Sequence, residues 1–199
     1  MTMPLDAESD RTDESLLALY AGGDRAAARM LTLRLTPRVL ALACRMLGDR
    51  AEAEDVAQEA MLRLWRIAPG WREGEAKVST WLYRVASNLC TDRLRRRRGT
   101  GFDDVFGEGI EPPDETPQVD ERLQEAARAE ALRRALAELP DRQRQAVVLR
   151  HLEGLSNPEI AAIMEIGVEA VESLTARGKR ALAARLDGQR QQLGLSDDG

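Results

Sequence analysis

The sequence predicts an all-α protein made of two small helical domains that are joined by a flexible acidic linker. Its periodic segments are dominated by Ala, Leu, Arg and Glu, which favour helices, and runs of β-branched residues are scarce. Residues 99–120 interrupt this pattern with prolines, glycines and acidic side chains that leave little apolar surface to bury. We therefore expect a disordered N-terminus over 1–12, helical domains over 13–98 and 121–186, the linker over 99–120, and a frayed tail over 187–199.

Cysteine and histidine usage limits the sites that the chain can carry. The 199 residues include two cysteines and one histidine, so we expect no zinc site, no disulfide framework and no cofactor. Cys44 and Cys90 lie in apolar helical patterns and are expected to be small core residues. No segment approaches the roughly 20 apolar residues of a membrane span, and the acidic N-terminus lacks a signal-peptide core. These features predict a reduced, cytoplasmic protein without membrane insertion.

Charge is distributed in blocks. The net charge is -5, which does not by itself indicate a nucleic-acid ligand. However, a dense arginine run, Arg93 and Arg95–Arg98, is followed by residues 99–127, which hold nine acidic residues against one basic residue. Such blocks let a chain bind a polyanion locally while it stays acidic overall. The arginine run also fits a second interpretation, the end of a helix whose dipole it complements.

Glycine and proline signals divide the first domain into helices. One helix is predicted over 13–20 before Gly22 and Gly23, and a second over 24–35. Pro37 is expected to begin a third helix that ends at Leu47 before Gly48, because proline is favoured in a first helical turn.

Two longer helices complete the first domain. Asp49 and Glu52 form a capping-box pattern for a helix that starts at Arg50 and ends near Ala68, with an apolar stripe of Val56, Ala60, Leu64 and Ile67. After Pro69 and Gly70 a loop over 71–78 leads to a helix over 79–98. Its predicted inward face consists of Val78, Leu82, Val85 and Leu89.

The second domain contains a predicted helix-turn-helix over 141–186. Asp141 is expected to cap a helix through about His151. Ser156 and Glu159 then form a capping box for a helix over 157–164, and the turn 165–167 leads to a helix from Val168 to about Leu186. In such a motif the second helix enters the major groove. The candidates for base-edge contacts are Glu169, Glu172, Ser173 and Ala176, and those for phosphate contacts are Arg177, Lys179 and Arg180. A plain helical hairpin explains the same spacing.

Two faces of the first domain invite a functional interpretation. On helix 50–68, Asp55, Gln58, Glu59 and Leu62 share a mostly polar stripe, which is either a solvated face or a docking surface for another protein. On helix 79–98, a second face suits unstacked bases, because aromatic rings stack on bases and arginines neutralise phosphates. Its members are Trp81, Arg84, Asn88 and Arg95, with Trp71 in the preceding loop. A core role for Trp81 is the competing interpretation.

At this point the residues resemble a known family. The segments Asp55–Trp65, Ser79–Asn88 and Asp92–Arg96 are similar to the second conserved region of extracytoplasmic-function (group IV) bacterial RNA polymerase σ factors, within the σ70 family. The segments Leu139–Val147 and Gly154–Leu182 resemble the fourth region. The resemblance covers roughly residues 14–98 and 121–186. Two motifs in the family's order, separated by a linker, are more specific than either alone.

The resemblance implies roles for the first domain. Asp55, Gln58, Glu59 and Leu62 would dock on the clamp helices of the polymerase β′ subunit. Trp71 would bound a pocket for a flipped base of the -10 element, Asn88 would contact that base, and Trp81 would hold the strands apart. Arg84 and the arginines of 93–98, Arg95 and Arg96 among them, would meet the DNA backbone.

It also implies roles for the rest of the chain. Helix 168–182 would read the -35 element, and the second domain would grip the β flap. The acidic linker would thread through the polymerase toward its positive RNA exit channel. An anti-σ factor that covers both domains is an implied partner, beside core polymerase and promoter DNA.

The sequence departs from the family pattern in three places. The loop from Trp71 to Lys77 is one residue longer than usual. Glu165 stands where the turn glycine is expected, so the turn either strains Glu165 or shifts to Gly167. Glu172 and Leu174 occupy positions that are often basic, which predicts an unusual -35 sequence or a weak grip on it.

Two other functions remain as hypotheses. A conventional helix-turn-helix regulator would act without polymerase and bind duplex DNA tightly, usually as a dimer. A helical adaptor would bind only proteins and would not need the arginine run. No nucleophile–base pair, phosphate loop or metal cluster supports an enzyme.

Overall fold

The computed structural model describes residues 11–72, 74, 77–99 and 119–192, and every regular element within them is a helix. The elements are α1 (Asp13–Ala21), α2 (Arg25–Leu47), α3 (Arg50–Ile67), a 3₁₀ turn (Ala68–Gly70), α4 (Val78–Gly99), α5 (Val119–Ala137), α6 (Asp141–Val147), a π turn (Val148–Leu152), α7 (Asn157–Met164) and α8 (Val168–Gln192). The all-α prediction is confirmed. Most of the expected N-terminal segment, linker and tail lies outside the described residues.

Helices α1 to α4 form an N-terminal lobe around α2. The buried stripe of α2 includes Leu31, Leu35, Val39 and Leu42, each at most 1% exposed. These leucines and the valine recur at helical spacing and contribute about 1.5–3 kcal/mol each when fully buried. Side-chain caps begin α1, α2 and α3 around this core. Thr12, expected to be disordered, accepts a hydrogen bond from the Ser15 N–H.

The sequence predicts that Pro37 begins a helix, but Pro37 lies inside α2. A proline within a helix costs about 3 kcal/mol, because it removes one backbone donor and crowds the preceding turn. The buried residues before and after Pro37 lie on one face of α2 only if the helix continues through the proline. The free energy gained by burying them exceeds the cost of the proline. Pro37 and Leu33, whose carbonyl loses its usual N–H donor, are both exposed, so water can replace the missing bond.

The inward face of α4 is rotated relative to the predicted one. Val78 and Leu82 are buried as expected, but Val85 and Leu89 are half-buried. The buried face continues instead through Tyr83, Ala86, Cys90 and Leu94. The rotation arises because α4 packs against α2 and α3 and also against α7 of the C-terminal lobe. Cys90 is a buried free thiol, as its apolar context predicted.

Helices α5 to α8 form the C-terminal lobe. Pro140, not Asp141, occupies the N-cap position of α6, and Asp141 is the first helical residue. The α-helix ends at Val147, short of His151, and continues as the π turn, in which Val148 and Leu149 are fully buried. Helix α8 extends to Gln192, beyond the predicted end at Leu186, so part of the expected tail is helical.

The turn between α7 and α8 uses Glu165. Its φ of 54° and ψ of 49° lie in the left-handed region, whereas Gly167 does not have a positive φ. Of the two predicted alternatives, the turn therefore keeps its position and strains a non-glycine residue. This conformation costs about 1–2 kcal/mol in a residue with a Cβ.

The two lobes pack directly against each other. Helix α2 contacts α5, α6 and the π turn, and α4 contacts α7. At the C-terminal end of α2, Arg144 Nη1 donates to the Met46 carbonyl at 2.5 Å and Arg133 Nη1 to the Gly48 carbonyl at 3.2 Å. Both guanidinium groups come from the C-terminal lobe and complement the negative end of the α2 dipole.

Candidate nucleic-acid interface

The two tryptophans singled out in the sequence lie together at the start of α4. The rings of Trp71 and Trp81 meet edge to face, with centroids 6.2 Å apart and planes at 86°. Both are half-buried and rest on the hydrophobic core. The Trp71 Nε1 atom is buried without a hydrogen-bond partner among the described residues. The pair thus forms a rigid aromatic wall whose inner side is core and whose outer side is accessible, which accommodates both interpretations of Trp81.

Polar residues continue from this wall along α4. Arg84 and Asn88 follow Trp81 at three and seven residues, so the three share one helix face. Asn88 is exposed, whereas Arg84 is half-buried and pairs with Glu165 of the C-terminal lobe at 3.6 Å. The structure therefore brings an aromatic pair, a cation and an exposed amide into one row.

The arginine run at the end of α4 divides into two groups. Arg95 and Arg96 are exposed, and Arg95 pairs with Asp92 at 2.9 Å within its own helix. Arg97 instead donates to the Leu47 carbonyl at 3.1 Å and pairs with Glu52 at 2.8 Å. Arg98 pairs with Asp141 of the C-terminal lobe. The first group can meet a polyanion directly, while the second group holds α4 to its neighbours.

The polar stripe on α3 lies on the surface of the N-terminal lobe. Asp55, Gln58 and Leu62 are exposed, and Leu62 retains 49% of its surface. Glu59 accepts a hydrogen bond from Arg63 at 2.8 Å, and this bond holds the pKa of the Glu59 carboxyl below its ordinary value. An exposed leucine among charged residues is typical of a protein-docking surface, which usually combines an apolar contact with a polar rim.

Helix α7 begins with a capping box formed by Ser156 and Glu159. Glu159 accepts hydrogen bonds from the Ser156 N–H at 3.0 Å and from the Ser156 hydroxyl at 2.7 Å. Lys77 Nζ of the N-terminal lobe lies 2.7 Å from the same carboxylate. These three donors, the Lys77 ammonium foremost, lower the pKa of Glu159 to about 2. Glu159 thus caps α7 and also forms an ion pair between the two lobes.

Helix α8 presents the predicted recognition face to solvent. Val171 is fully buried against the preceding helices, and Gly178 is also buried. All the predicted base-edge and phosphate candidates are exposed: Glu169, Glu172, Ser173, Ala176, Arg177, Lys179 and Arg180. Three of them are preorganised, since Asn157 donates to Glu172 at 3.3 Å and Arg177 donates to the Ser173 hydroxyl at 2.9 Å. The face can therefore offer hydrogen-bond donors and two carboxylate acceptors, Glu169 and Glu172, to a groove.

Sequence reasoning missed a polar cluster between the lobes. Glu153, whose side chain is 7% exposed, accepts hydrogen bonds from Arg45 Nη1 at 2.5 Å and from the Tyr83 hydroxyl at 2.9 Å. Burial, together with the charge of Glu153, raises the pKa of Tyr83. The three residues are distant in sequence and carry no local motif, so only the packing of the lobes reveals them.

Two further properties of the described residues concern metal binding and membrane crossing. Within the described ranges, no group of three or more His, Cys, Asp or Glu side chains could hold a metal ion. None of the described helices combines the length and apolar character that crossing a bilayer requires.

Two family models match the chain. A model described as Sigma-70 region 2 matches residues 31–100, and one described as Sigma-70, region 4 matches residues 129–182. The first match contains α3, α4 and the tryptophan pair, and the second contains the helix-turn-helix. The two matched segments therefore coincide with the two candidate surfaces.

Curated relatives match over most of their length. The RNA polymerase sigma-H factor of Pseudomonas aeruginosa is 34% identical over 183 residues, which covers 85% of this chain and 91% of the relative. The ECF RNA polymerase sigma-E factor of Escherichia coli is 32% identical, covering 86% and 92%. The ECF RNA polymerase sigma factor SigW of Bacillus subtilis is 31% identical, covering 75% and 83%.

Solved structures share the fold. CnrH, in a complex with the cytosolic domain of CnrY, matches with a TM-score of 0.65 and 28% identity, covering 88% of this chain and 97% of CnrH. The sigma factor RpoE of Bartonella quintana, in a complex with the anti-sigma factor NepR, matches with a TM-score of 0.65 at 20% identity, covering 80% and 96%. At that identity the second match concerns the fold alone.

Proposed function

This chain belongs to the extracytoplasmic-function (ECF) RNA polymerase σ factors, and we propose that it directs core RNA polymerase to promoter DNA and helps to open it. The observation that carries the proposal is the row of Trp81, Arg84 and Asn88 on α4, beside Trp71, in the same chain as an exposed recognition helix. A regulator that binds duplex DNA needs only the recognition helix. Strand opening also needs the aromatic and polar row on α4.

The N-terminal lobe, residues 13–98, is proposed as σ region 2. The stripe of Asp55, Gln58, Glu59 and Leu62 docks on the β′ clamp helices of core polymerase, and its exposure supports that role. An apolar residue near the middle of such a stripe carries much of the binding free energy once water is excluded.

The -10 element is proposed to bind along α4. Trp81 stacks at the junction of paired and unpaired DNA, Trp71 bounds the pocket for a flipped base, and Asn88 contacts that base. The exposed amide of Asn88 and the paired rings support this arrangement. Phosphates are contacted by Arg84, Arg95 and Arg96.

The C-terminal lobe, residues 121–186, is proposed as σ region 4, which grips the β flap and reads the -35 element through α8. Arg177, Lys179 and Arg180 contact phosphates, and Ser173 and Ala176 face bases. Glu169 and Glu172 add carboxylates to this face, and a carboxylate can accept a hydrogen bond from the amino group of cytosine.

The chain itself is proposed to carry out no chemistry, because the polymerase catalyses RNA synthesis. It is also proposed to work in the cytoplasm, where polymerase and promoters meet. Control by a protein partner is supported by the likeness to CnrH, which was solved in a complex with the cytosolic domain of CnrY. The resemblance to σ factors implies that this partner is an anti-σ factor. A partner that covers both lobes would block polymerase docking and DNA binding together.

A core-binding experiment tests the proposal. Purified core polymerase is titrated with fluorescently labelled chain, and Leu62→Asp is compared with Leu33→Asp, a matched control whose leucine is 67% exposed on α2 and outside the stripe. Loss of a central apolar contact weakens binding by about 30-fold. We expect this loss for Leu62→Asp and unchanged affinity for the control.

Transcription separates the proposal from its alternatives. A σ factor supports initiation from a matched promoter only together with core polymerase, whereas a conventional regulator binds duplex DNA alone. Failure of the wild-type chain to associate with core polymerase, or tight binding of the isolated chain to duplex promoter DNA, would contradict the proposal.

A further inference from the structure

We propose that Glu172 determines the base preference of the recognition helix by accepting a hydrogen bond from a cytosine of the -35 element, and that Asn157 positions its carboxylate for this contact. The inference rests on the proposed function and deepens it, because it names the base that one side chain of the C-terminal lobe selects.

Glu172 lies in the part of α8 that reaches base edges in a helix-turn-helix. Helix α8 begins at Val168, so Glu172 belongs to its second turn, and the early residues of a recognition helix enter the major groove. The preceding residue, Val171, is fully buried, which fixes the rotation of α8 about its axis. Successive residues differ by about 100° around a helix, so Glu172 is turned outward and its side chain is exposed.

The Asn157 amide holds one oxygen of this carboxylate. Asn157 is the first residue of α7, and its Nδ2 donates to Glu172 Oε1 at 3.3 Å. The capping box of Ser156 and Glu159 fixes the backbone at this end of α7. A donor anchored in this way restricts the rotamers of Glu172, as supporting hydrogen bonds do for residues of a binding site. The second oxygen, Oε2, is left to face a ligand.

A carboxylate only accepts hydrogen bonds, and this property restricts the base that it can contact. In the major groove cytosine presents its N4 amino group, whereas guanine presents the acceptors O6 and N7 and thymine presents the acceptor O4. Adenine offers an N6 donor, but its N7 acceptor lies beside that donor and repels a carboxylate. Cytosine is therefore the base that suits Glu172 best.

The charges around Glu172 make the choice of base strict. Among the described residues, Glu172 bonds to the neutral amide of Asn157 and to no cation. The nearby Arg177 donates instead to the carbonyl and hydroxyl of Ser173, at 3.3 and 2.9 Å. A carboxylate that enters the groove loses water close to phosphates, which is unfavourable unless a donor replaces the water. A base without that donor consequently both loses the hydrogen bond and leaves a charge unsatisfied.

The other carboxylate of this face is placed differently. Glu169 lies in the first turn of α8, where a negative charge complements the helix dipole, and no described side chain donates to it. Ala176, one turn beyond Glu172, is exposed and too short to hold the helix away from the bases. Glu172 is therefore the carboxylate that the fold orients toward a base.

The test measures base preference with the complete chain bound to core polymerase. The holoenzyme is incubated with duplex fragments that are randomised across the -35 and -10 regions, and the bound fragments are sequenced. Wild type is compared with Glu172→Gln and with Asn157→Ala. Glu138→Gln is the matched control, because it makes the same chemical change in a carboxylate that pairs with Arg185 near the end of α8.

We expect wild type to enrich cytosine at one -35 position by about 10-fold over guanine and thymine. Glu172→Gln should move this preference toward adenine, because an amide matches the N6 donor and N7 acceptor of adenine. The other -35 positions should stay as in wild type. Asn157→Ala should weaken the cytosine preference by about 3- to 5-fold without replacing it, since one supporting hydrogen bond is lost. The control should select the wild-type sequence.

Three results would overturn the inference: a wild-type site without a cytosine preference, a preference that persists in Glu172→Gln, or one that is lost in Glu169→Gln instead. Should Glu172→Gln fail to fold, as judged by circular dichroism, Asn157→Ala decides, and an unchanged cytosine preference in that variant overturns the inference.

The same experiment distinguishes this failure from failure of the proposed function. A holoenzyme that selects promoter sequence without any dependence on residue 172 retains the proposed function and loses the assignment of Glu172. A chain that does not associate with core polymerase, or whose holoenzyme enriches no sequence, loses the proposed function itself.

Discussion

Glu165 combines an unfavourable backbone conformation with a side chain that reaches across to the other lobe. Its φ of 54° is suited to glycine, and its carboxylate lies 3.6 Å from the guanidinium of the half-buried Arg84. A surface pair at this distance contributes at most about 1 kcal/mol. The local strain, about 1–2 kcal/mol, is therefore not fully offset by the ion pair.

Glu165→Gly should consequently stabilise the C-terminal lobe by about 1 kcal/mol, since glycine adopts this conformation without the Cβ clash. Urea unfolding followed by circular dichroism measures the change. Glu169→Gly, within the first turn of α8, is the matched control and should destabilise by a similar amount, because glycine is unfavourable in a helix. Destabilisation in both variants would mean that the ion pair between Glu165 and Arg84 contributes more free energy than the left-handed backbone conformation at Glu165 costs.

Single residues also show what sequence could and could not reveal. Because a glycine is usual at position 165, the strained turn could be predicted as one of two alternatives, and φ decides between them. Glu153 gave no signal, since its partners Arg45 and Tyr83 lie 108 and 70 residues away along the chain. Local patterns report caps and turns. They do not report a contact that depends on how two lobes meet.

At the scale of elements, helix crossings depend on small residues that a periodicity analysis passes over. A Cβ added to Gly178 of α8 would lie 2.6 Å from Val147 Cγ2 and 3.1 Å from the Gln143 carbonyl of α6. Glycine is therefore required at position 178 because α6 and α8 approach each other too closely for a side chain, and not because of its backbone conformation. A glycine inside a helix is otherwise unfavourable by about 1 kcal/mol.

Gly178→Ala should destabilise the C-terminal lobe by about 1–3 kcal/mol, because the helices must move apart or distort. This is opposite to the small gain that helix propensity alone predicts. Thermal unfolding of the variant measures the change, with Gly70→Ala as a control, since a Cβ there meets nothing within 4 Å. A stabilised Gly178→Ala variant would show that the crossing is looser than the structure indicates.

The cap of α7 makes its stability depend on pH. The folded pKa of Glu159, about 2, is depressed below the ordinary value of 4.5. The contribution of the ionised Glu159 carboxylate to the free energy of unfolding is therefore fully present above about pH 4.5, and it is lost as the pH falls toward 2. We expect the difference in unfolding free energy between wild type and Glu159→Gln to shrink over that window. A difference that stays constant from pH 6 to pH 3 would argue against the capping and interlobe bonds of this carboxylate.

Most of the elements themselves follow from sequence, and the deviations have physical causes. Caps at Asp49 and Ser156 appear where the local patterns predict them. Of the predicted apolar stripe of α3, Val56, Ala60 and Leu64 are buried and Ile67 is half-buried. Pro37 was misassigned as a helix start because a proline signal is local, whereas the buried stripe of α2 extends across it. The rotated face of α4 reflects its contact with α7, which no pattern within α4 encodes.

At the scale of the whole molecule, the proposed surfaces for polymerase docking and strand opening lie on different helices of one lobe. The stripe on α3 and the row on α4 are built from separate residues, so their functions should be separable by substitution. The fold and the family could be predicted from sequence. The packing of the lobes could not, because it depends on pairs such as Lys77 and Glu159 that lie 82 residues apart.

The most direct test of this division measures core-polymerase affinity and promoter opening for two variants, with opening followed by a fluorescent base analogue in the -10 element. Trp81→Ala should keep core affinity within about 2-fold and reduce opening by about 10-fold or more, since base–aromatic stacking is worth about 1–3 kcal/mol. Glu59→Arg should weaken core binding first, and opening should recover at saturating concentration. Equal loss of binding and opening in Trp81→Ala, or unchanged core affinity in Glu59→Arg, would contradict the account.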